Sequence, residues 1–409
     1  MKGIGERNNM EEWKEYKLGD VSSVSSSKRI FADEYQSEGI PFYRSKEIIE
    51  KQKGISIANE LYIKESRYNE IKNKFGVPQK GDILLTSVGT LGIPYLVKDE
   101  IFYFKDGNIT WFYNFKGINN RYLYYWFLSP IAKHYFDIKA IGSTQKALTI
   151  ETLKKFDIVL PSKSIQQKVA DVLKSFDDKI ELNNRINANL EEQAQALFRR
   201  WFVDFEFPNE QGLPYKSNGG KFVNSELGSI PEGWSVKAIA DVAELMAGGD
   251  KPCIVTKKPT GECNVPIFSN GMSDDGLYGY TTNAKVFKES VTISARGTIG
   301  FVRLRQKPFF PIVRLITAIP NTSLISAKYL YFLLLDKNIS GTGTTQQQLT
   351  VPDFRRYELI VPTLNIIKNF NNITNVVFNK ITFLKHENEI LESLRDAILP
   401  KLMNNELRP

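Results

Sequence analysis

Two stretches of the chain place apolar residues at every seventh position, which is the spacing of a coiled-coil seam. The first stretch follows Pro161 and the second follows Pro362. The seam positions are Val169, Phe176, Asn183, Leu190 and Leu197 in the first stretch, and Phe370, Val377, Leu384, Leu391 and Ile398 in the second. The pattern predicts two long helices, one over residues 162–206 and one over residues 363–409.

Each predicted helix has roughly 40 residues and is about 60 Å long, which exceeds what one compact domain needs. We expect the two apolar stripes to pack on each other within the chain, so that two globular parts are held at a fixed distance. The alternatives are that the helices pack into separate cores or form a homodimer. Asn183 is a polar residue at a seam position, and such a residue helps to set the register at some loss of stability.

A longer pattern also repeats, because the segment 142–161 returns as the segment 343–362, with an offset of 201 residues and no gap. Most positions that differ exchange like for like, such as Ser for Thr, Lys for Arg or Asp for Glu. Each copy reads as a turn, a short helix beginning at Thr149 or Thr350, a short strand and a proline. A repeat of this length indicates internal duplication.

Other matched segments occur in the same order in both halves. Apolar runs before Gly89 and Gly297 predict a buried strand followed by a tight turn that requires positive φ. The spacing drifts, since 48 residues separate Pro41 from Gly89 and 31 separate Pro266 from Gly297. The matched segments are therefore duplicated, whereas the stretches of chain between them differ in length between the two halves. The matched pairs are 40–45 with 265–270, 81–92 with 291–300, and the helical runs from Arg121 and Lys328.

The domain boundaries follow from these signals. We expect a disordered leader at 1–10, a first domain at 11–161, a long helix at 162–206, a linker at 207–228, a second domain at 229–362 and a second long helix at 363–409. The first part of the linker, 207–220, is rich in Pro, Gly and Asn and is expected to be irregular.

Composition narrows the function only slightly. The net charge of +8 and the pI near 9.1 favour a polyanionic partner. Cys253 and Cys263 are the only cysteines and have no histidine near them, which argues against a metal site or a disulfide framework and suits a reducing cytoplasm. The longest apolar runs have seven residues, too few to span a membrane.

Motifs for catalysis are missing from the sequence. No phosphate-binding loop occurs, because Gly220-Lys221 is followed by Phe222. The sequence after Asp353 lacks the acidic partner and lysine of metal-dependent nucleases, and the motif of amino-methylating enzymes is absent. His134 and His386 lie in opposite halves, so a shared catalytic role is not expected. The sequence therefore describes a binding protein without its own active site and without a metal.

The chain resembles the specificity (S) subunit of type I restriction-modification systems. The resemblance rests on the paired Gly-Ser/Thr-Thr-Gln segments, the acidic-aliphatic-Pro strands at 157–161 and 358–362, the long helices after them, and the Phe-Arg-Arg-Trp-Phe-Val-Asp-Phe segment at 198–205. The Gly-Thr-aliphatic-Gly turns add to it. The match covers essentially the whole chain, and it is specific as an ordered set.

The resemblance implies an α+β fold with two tandem duplicated target-recognition domains, joined by two long antiparallel coiled-coil helices with pseudo-twofold symmetry. Each domain would read one half of a bipartite, asymmetric DNA site, and the coiled coil would fix the spacer. Two methyltransferase subunits using S-adenosylmethionine, and two restriction subunits using ATP and Mg²⁺, would complete the complex. The chain itself would bind no cofactor.

Candidate DNA contacts come from the matched turns, where backbone N–H groups at helix starts suit a phosphate and polar side chains suit base edges. The alternative for Gln145 and Gln346 is that they hold the turn against its own domain. The alternative for Arg296 is that it is a surface charge without a DNA contact. Arg296 is matched by Val88, so any contact it makes is not shared by the first domain. The candidates are Arg44, Ser45, Thr86, Ser87, Thr90, Ser143, Thr144, Gln145 and Lys146, with Ser269, Asn270, Ser294, Arg296, Thr298, Thr344, Thr345, Gln346 and Gln347.

Two other functions compete with this interpretation. The first is a stand-alone coiled-coil scaffold or DNA-binding protein without enzyme partners, which co-purification with a methyltransferase would distinguish. The second is a catalytically complete restriction enzyme, which the missing motifs disfavour.

Overall fold

The computed structural model describes residues 13–54, 57, 60–142, 146–337, 339, 348–407 and 409. The chain forms two compact units, one of Met1–Arg185 with Lys385–Pro409 and one of Ile186–Leu384. Each unit therefore contains one globular domain together with part of each long helix. The expected leader at 1–10 lies outside the described residues.

Short strands and helices build the first unit. Its strands are β1 (Lys14–Lys17), β2 (Ser23–Ser25), β3 (Tyr35–Gln36), β4 (Ile40–Tyr43), β5 (Leu61–Ile63), β6 (Ile83–Thr86), β7 (Pro94–Leu96), β8 (Tyr103–Phe104), β9 (Ile109–Tyr113) and β10 (Asp157–Leu160). Its helices are α1 (Leu18–Val21), α2 (Ser45–Gln52), α3 (Glu65–Phe75), α4 (Asn120–Leu128), α5 (Pro130–Lys139), α6 (Ile150–Lys154) and the start of α7 (Lys163–Phe198).

Two four-stranded sheets form the centre of the first domain, in the orders β2-β9-β6-β7 and β3-β5-β4-β8. All four residues of β6 are buried, because this continuous apolar run lies between layers of side chains. The tyrosine-rich helix α4 packs in the same core, with Tyr122 fully buried. β1 and β10 pair antiparallel and bring the two ends of the domain together.

The second unit repeats this plan. Its strands are β11 (Phe222–Ser225), β12 (Gly228–Pro231), β13 (Ser235–Ala238), β14 (Ala243–Ala247), β15 (Val265–Phe268), β16 (Leu277–Thr281), β17 (Ser290–Ser294), β18 (Val302–Arg305), β19 (Phe310–Pro311), β20 (Leu315–Pro320) and β21 (Glu358–Val361). Its helices are α8 (Ile239–Val242), α9 (Ala327–Asp336), α10 (Val351–Arg355) and the first part of α11 (Leu364–Met403).

The strand orders confirm the duplication. The sheet β14-β20-β17-β18 matches β2-β9-β6-β7, and β13 pairs with β21 as β1 pairs with β10. Thr149 and Thr350 cap the matched helices α6 and α10, each accepting a hydrogen bond from a backbone N–H three residues on. The mixed fold with two tandem domains is thus confirmed.

The linker is more ordered than its composition predicts. β11 and β12 form an antiparallel hairpin that begins in the predicted linker, after the part at 207–220 that was expected to be irregular, and ends at Pro231. Aromatic packing explains the order, because the ring of Phe207 stacks on Tyr215 at 4.6 Å and on Trp234 at 5.1 Å between centroids. Residues Arg199–Val203 extend α7 by one π-helical turn into the same aromatic cluster.

Within the first unit, α7 and α11 pack on each other as antiparallel helices. Asp177 of α7 accepts a hydrogen bond from Arg395 of α11 at 2.7 Å, and Asn183 of α7 donates one to Asn388 of α11 at 2.8 Å. The partner number falls as the number along α7 rises, which defines the antiparallel direction. Asp177 also accepts a 2.6 Å hydrogen bond from the hydroxyl of Tyr125 in α4, which ties the helix pair to the domain.

Within the second unit, apolar side chains of the same two helices share one core. The rings of Phe198 and Phe370 lie 6.2 Å apart between centroids. Ala194, Phe378 and Ile381 belong to the same buried cluster. Packing of the two helices within the chain is thereby confirmed in preference to separate, unrelated cores.

The predicted seam residues are all buried or partly buried. Val169, Asn183, Phe370 and Leu384 are buried, and Phe176, Leu190, Leu197, Val377, Leu391 and Ile398 are partly so. The sequence pattern missed the second row of the seam, three residues earlier in each heptad. That row includes the buried residues Gln166, Leu173, Asn187, Ala194, Ile367, Thr374, Ile381 and Asn388, and its polar members hide it from a search for apolar residues.

Candidate nucleic-acid interface

Three chain segments meet at the glycine turn of the first domain. The Ser87 backbone N–H donates to the Asn108 carbonyl oxygen at 2.9 Å, and the Leu148 N–H donates to the Ser87 carbonyl at 2.8 Å. The Gly89 N–H donates to the Lys146 carbonyl at 3.1 Å. The turn after β6 is therefore fixed between the turn that precedes β9 and the repeated segment that precedes α6.

The second domain builds the same arrangement. The Ala295 N–H donates to the Arg314 carbonyl at 2.9 Å, and the Leu349 N–H donates to the Ala295 carbonyl at 2.9 Å. An isolated β-bridge joins Arg296 to Gln348. The two landmarks that the sequence repeats, the glycine turn and the segment before the short helix, are thus neighbours in both domains.

Three predicted contact residues are closed to solvent. Thr86 and Ser294 are 0% exposed and Ser87 is 3% exposed. The Thr86 hydroxyl accepts the Ile93 N–H at 3.0 Å, so it closes the glycine turn. Their burial contradicts the prediction that these hydroxyls face DNA, and it assigns them to the support of the turn. They were misassigned because the strand pattern does not reveal that both of its faces are covered.

The segment after β15 is tied to the glycine turn of the second domain. Asn270 donates its Nδ2 to the Arg296 carbonyl at 2.8 Å, and its own carbonyl accepts from the Thr298 hydroxyl at 2.6 Å. The Ser294 hydroxyl lies 3.0 Å from the Thr298 hydroxyl. Asn270, Ser294 and Thr298 therefore form one network that holds the backbone around Arg296. The partly buried Ser269 bonds elsewhere, since its hydroxyl donates to the Gly276 carbonyl at 3.5 Å.

Arg305, which was not among the sequence candidates, is buried beside the Ser269–Asn270 segment. Its Nε donates to the Thr292 hydroxyl at 3.0 Å, its Nη2 donates to the Asp275 carbonyl at 2.7 Å, and its guanidinium lies 3.6 Å from the ring centroid of Phe268. Burial lowers the pKa of Arg305 to about 10, so the side chain remains charged at neutral pH. Its burial and contacts make it a support for the Ser269–Asn270 segment.

In the first domain Arg44 is partly neutralised by a neighbouring carboxylate. Its Nη2 lies 2.6 Å from Oε1 of Glu47, and its Nε donates to Oε2 at 3.1 Å. The hydrogen bond to Glu47 raises the pKa of Arg44. Burial by itself would raise the pKa of Glu47, but the hydrogen bonds from Arg44 outweigh burial and lower that pKa. Ser45 donates to the Asn108 carbonyl at 3.4 Å, which brings α2 to the same cluster.

The remaining candidates are open to solvent. Thr90 and Lys146 are exposed and Arg296 is partly exposed, so direct DNA contact by these three residues stays a prediction. The candidates Ser143, Thr144, Gln145, Thr344, Thr345, Gln346 and Gln347 lie outside the described residues. Asn108 and Arg314 join the cluster through the tertiary structure. Asp106-Gly107-Asn108 has the composition of a turn, whereas no local signal marks Arg314.

Two features are absent from the residues that the structure describes. Groups of three or more His, Cys, Asp or Glu side chains able to hold a metal ion do not occur in that part of the chain. Within the same residues, every helix is too short or too polar to cross a membrane.

Comparison with known proteins decides the family. A family model described as the type I restriction modification DNA specificity domain matches residues 10–192 and again residues 231–393. The chain belongs to the type I restriction-modification specificity subunits. The two separate matches agree with the duplication that the repeat and the strand orders show.

Relatives of the specificity subunit match over nearly its full length. The specificity subunit of the type I restriction enzyme MjaIX from Methanocaldococcus jannaschii is 29% identical over 97% of this chain and 94% of the relative. That of HindI from Haemophilus influenzae is 24% identical over 97% of this chain and 100% of the relative. The crystal structure of the S subunit from M. genitalium is 15% identical, covers 97% of both chains and has a TM-score of 0.52, which supports the fold.

Proposed function

We propose that this specificity subunit reads a bipartite, asymmetric DNA site, with one half-site for each domain, and directs both adenine N6 methylation and ATP-dependent restriction. The observation that carries the proposal is the duplicated cluster of turns with different side chains. Val88 and Arg296 occupy one matched position, and Ser45 and Asn270 occupy another. The two domains share this backbone arrangement but carry different side chains on it. Such an arrangement is suited to recognising a different DNA sequence with each domain.

The two long helices set the distance between the half-sites in this proposal. α7 and α11 have 36 and 40 residues, which corresponds to about 54 and 60 Å at 1.5 Å per residue. Half-sites read from one face of DNA are about 34–36 Å apart, so helices of this length are sufficient. Lengthening both helices should change the spacer and leave the half-site sequences unchanged.

The chain contributes recognition, and its partners contribute catalysis. We assign methyl transfer from S-adenosylmethionine to two methyltransferase subunits, and translocation and cleavage with ATP and Mg²⁺ to two restriction subunits. An adenine must leave the base stack to be methylated, which is a task for the methyltransferase. A cytoplasmic location follows from the DNA substrate.

An exposed apolar stripe on α11 supports docking of a methyltransferase subunit. Within the second unit, Ile373, Val376 and Phe383 are 45%, 71% and 59% exposed. Their spacing of three and seven residues places them along one side of the helix, away from the seam. Apolar side chains in such a row mark an interaction surface.

Co-expression with the methyltransferase tests this surface. Val376→Glu should reduce co-purification of the methyltransferase, because a charge would be buried in the apolar contact. Asn375→Glu is the matched control, since Asn375 is exposed on another side of the same helix. Equal recovery of the partner with both variants would place the docking surface elsewhere.

Sequencing of N6-methyladenine in a host with and without the gene tests the proposed function as a whole. A bipartite methylated motif should disappear with the gene. Exchange of residues 12–160 for the same region of another family member should change one half-site only. Simultaneous change of both half-sites would contradict the assignment of one half-site to each domain.

A further inference from the structure

The turn before the last central strand occupies the same place in both domains. In the first domain the carbonyl of Asn108 accepts the N–H of Ser87, and in the second the carbonyl of Arg314 accepts the N–H of Ala295, both at 2.9 Å. Ser87 and Ala295 are matched residues that directly precede Val88 and Arg296. Asn108 and Arg314 are therefore equivalent positions, each fixed by its backbone to the glycine turn.

The two turns reach this position by different routes. Lys105 and Ile312 mark the start of the turn, since their N–H groups donate at 2.9 Å to the matched carbonyls of Tyr43 and Phe268. The turn that follows contains Asp106, Gly107 and Asn108 in the first domain, and only Val313 and Arg314 in the second. The second turn is one residue shorter and still presents its carbonyl at the same place.

Both turns contain a residue with left-handed backbone conformation, but the residue type differs between the two domains. Gly107 has φ of 74°, as expected where positive φ is needed, whereas Arg314 itself has φ of 69°. An arginine in this conformation is strained, and a glycine would adopt it more easily. The shape of the turn therefore does not call for an arginine at this position, which leaves its side chain for another role.

The guanidinium group of Arg314 is free to contact a ligand. Its side chain is exposed, and no hydrogen bond or ion pair is found for its guanidinium within the described part of the chain. A contact to phosphate would favour a cation in both domains, because every DNA sequence carries the same phosphates. The equivalent residue is instead the neutral amide Asn108, and a position that alternates between amide and guanidinium suits base edges.

We propose that Arg314 and Asn108 are the equivalent specificity-determining residues of the two domains, with Arg314 selecting a guanine and Asn108 an adenine. Arginine matches O6 and N7 of guanine with two hydrogen bonds, and asparagine matches N6 and N7 of adenine in the same way. The inference rests on the proposed function, since it assigns base contacts within the half-site that each domain reads.

The decisive variant is Arg314→Gly in the intact complex with its methyltransferase subunits. Glycine removes the guanidinium and relieves the strained backbone, so the melting temperature should equal or exceed that of the original protein. One guanine position in one half-site should lose its preference by roughly 5- to 150-fold, while the other half-site stays unchanged. Sequencing of N6-methyladenine in a randomised DNA library measures both half-sites at once.

Two further variants complete the experiment. Asn108→Ala should relax an adenine position in the opposite half-site. Arg200→Gln, which removes an exposed arginine outside both turns, should leave the motif unchanged. An unchanged motif with Arg314→Gly would overturn the inference, and so would an equal loss on every sequence, which would make Arg314 a phosphate contact. Absence of any bipartite motif with the original protein would instead refute the proposed function itself.

Discussion

The buried polar layer between α7 and α11 allows a quantitative prediction for Asn183→Ala. Asn183 is 0% exposed, and its Nδ2 donates to Oε2 of Glu387 at 2.7 Å and to Oδ1 of Asn388 at 2.8 Å. Asn388, which is 8% exposed, in turn donates to Oδ1 of Asn184 at 2.8 Å. The substitution removes both hydrogen bonds of Asn183 and leaves the Oδ1 of Asn388 without its donor.

The expected loss of unfolding free energy is about 3–4 kcal/mol. The bond to Asn388 contributes about 1 kcal/mol, and the bond to Glu387 contributes a similar amount because that carboxylate is partly exposed and can turn to water. The acceptor left buried on Asn388 adds roughly 1–2 kcal/mol. The double variant Asn183→Leu with Asn388→Leu should recover most of this loss, since it removes both polar partners.

Urea unfolding followed by circular dichroism measures the effect, with midpoints and slopes compared because a chain of two units need not unfold in one step. Gln193→Ala, at an exposed position of α7, is the control and should change the free energy by less than about 0.5 kcal/mol. The double variant should also allow other helix registers, so its methylated motifs should show mixed spacers. If Asn183→Ala unfolds at the same urea concentration as the control, the polar layer does not stabilise the helix pair.

Three further predictions concern the domains. The pKa of Glu47 is lowered because hydrogen bonds outweigh burial, so its ionised form adds stability above the ordinary pKa of 4.5 and loses it as the pH falls. Glu47→Gln should therefore lower the urea midpoint near pH 7, and the difference should shrink as the pH falls below 4.5. Gly92 and Gly117 both have positive φ, but only at Gly92 would a Cβ meet the ring of Phe136, at 2.2 Å. Gly92→Ala should thus destabilise the protein by about 1–3 kcal/mol more than Gly117→Ala in the same assay, and equal effects would contradict the packing argument. Lys146→Ala should weaken binding to all DNA sequences alike and reduce the slope of log affinity against log salt by about one, whereas a change of motif would show base reading.

Local sequence patterns predicted the architecture well because they report local physics. The heptads identified α7 and α11, and the threonine caps at Thr149 and Thr350 located the short helices. The aromatic packing of the linker was not predicted, because stacking of Phe207 on Tyr215 and Trp234 depends on side chains that meet only in the folded chain.

The candidate interface was predicted less completely. The matched turns do meet in each domain, but Thr86, Ser87 and Ser294 are buried. Period and composition show that a strand is apolar without showing how many of its faces are covered. Asn108 and Arg314 were missed because they join the cluster through hydrogen bonds to residues about twenty positions earlier in the chain.

The sequence alone determined the duplication, the two long helices and the family resemblance, since each depends on spacing along the chain. Only the tertiary structure decided which polar residues are exposed at the turns and which serve as their supports. It also placed Arg314 in left-handed backbone, whereas the matching turn of the first domain has that conformation at Gly107, next to the equivalent residue Asn108. The physical reason is that solvent exposure and backbone strain arise from contacts between distant segments, and such contacts leave no local pattern.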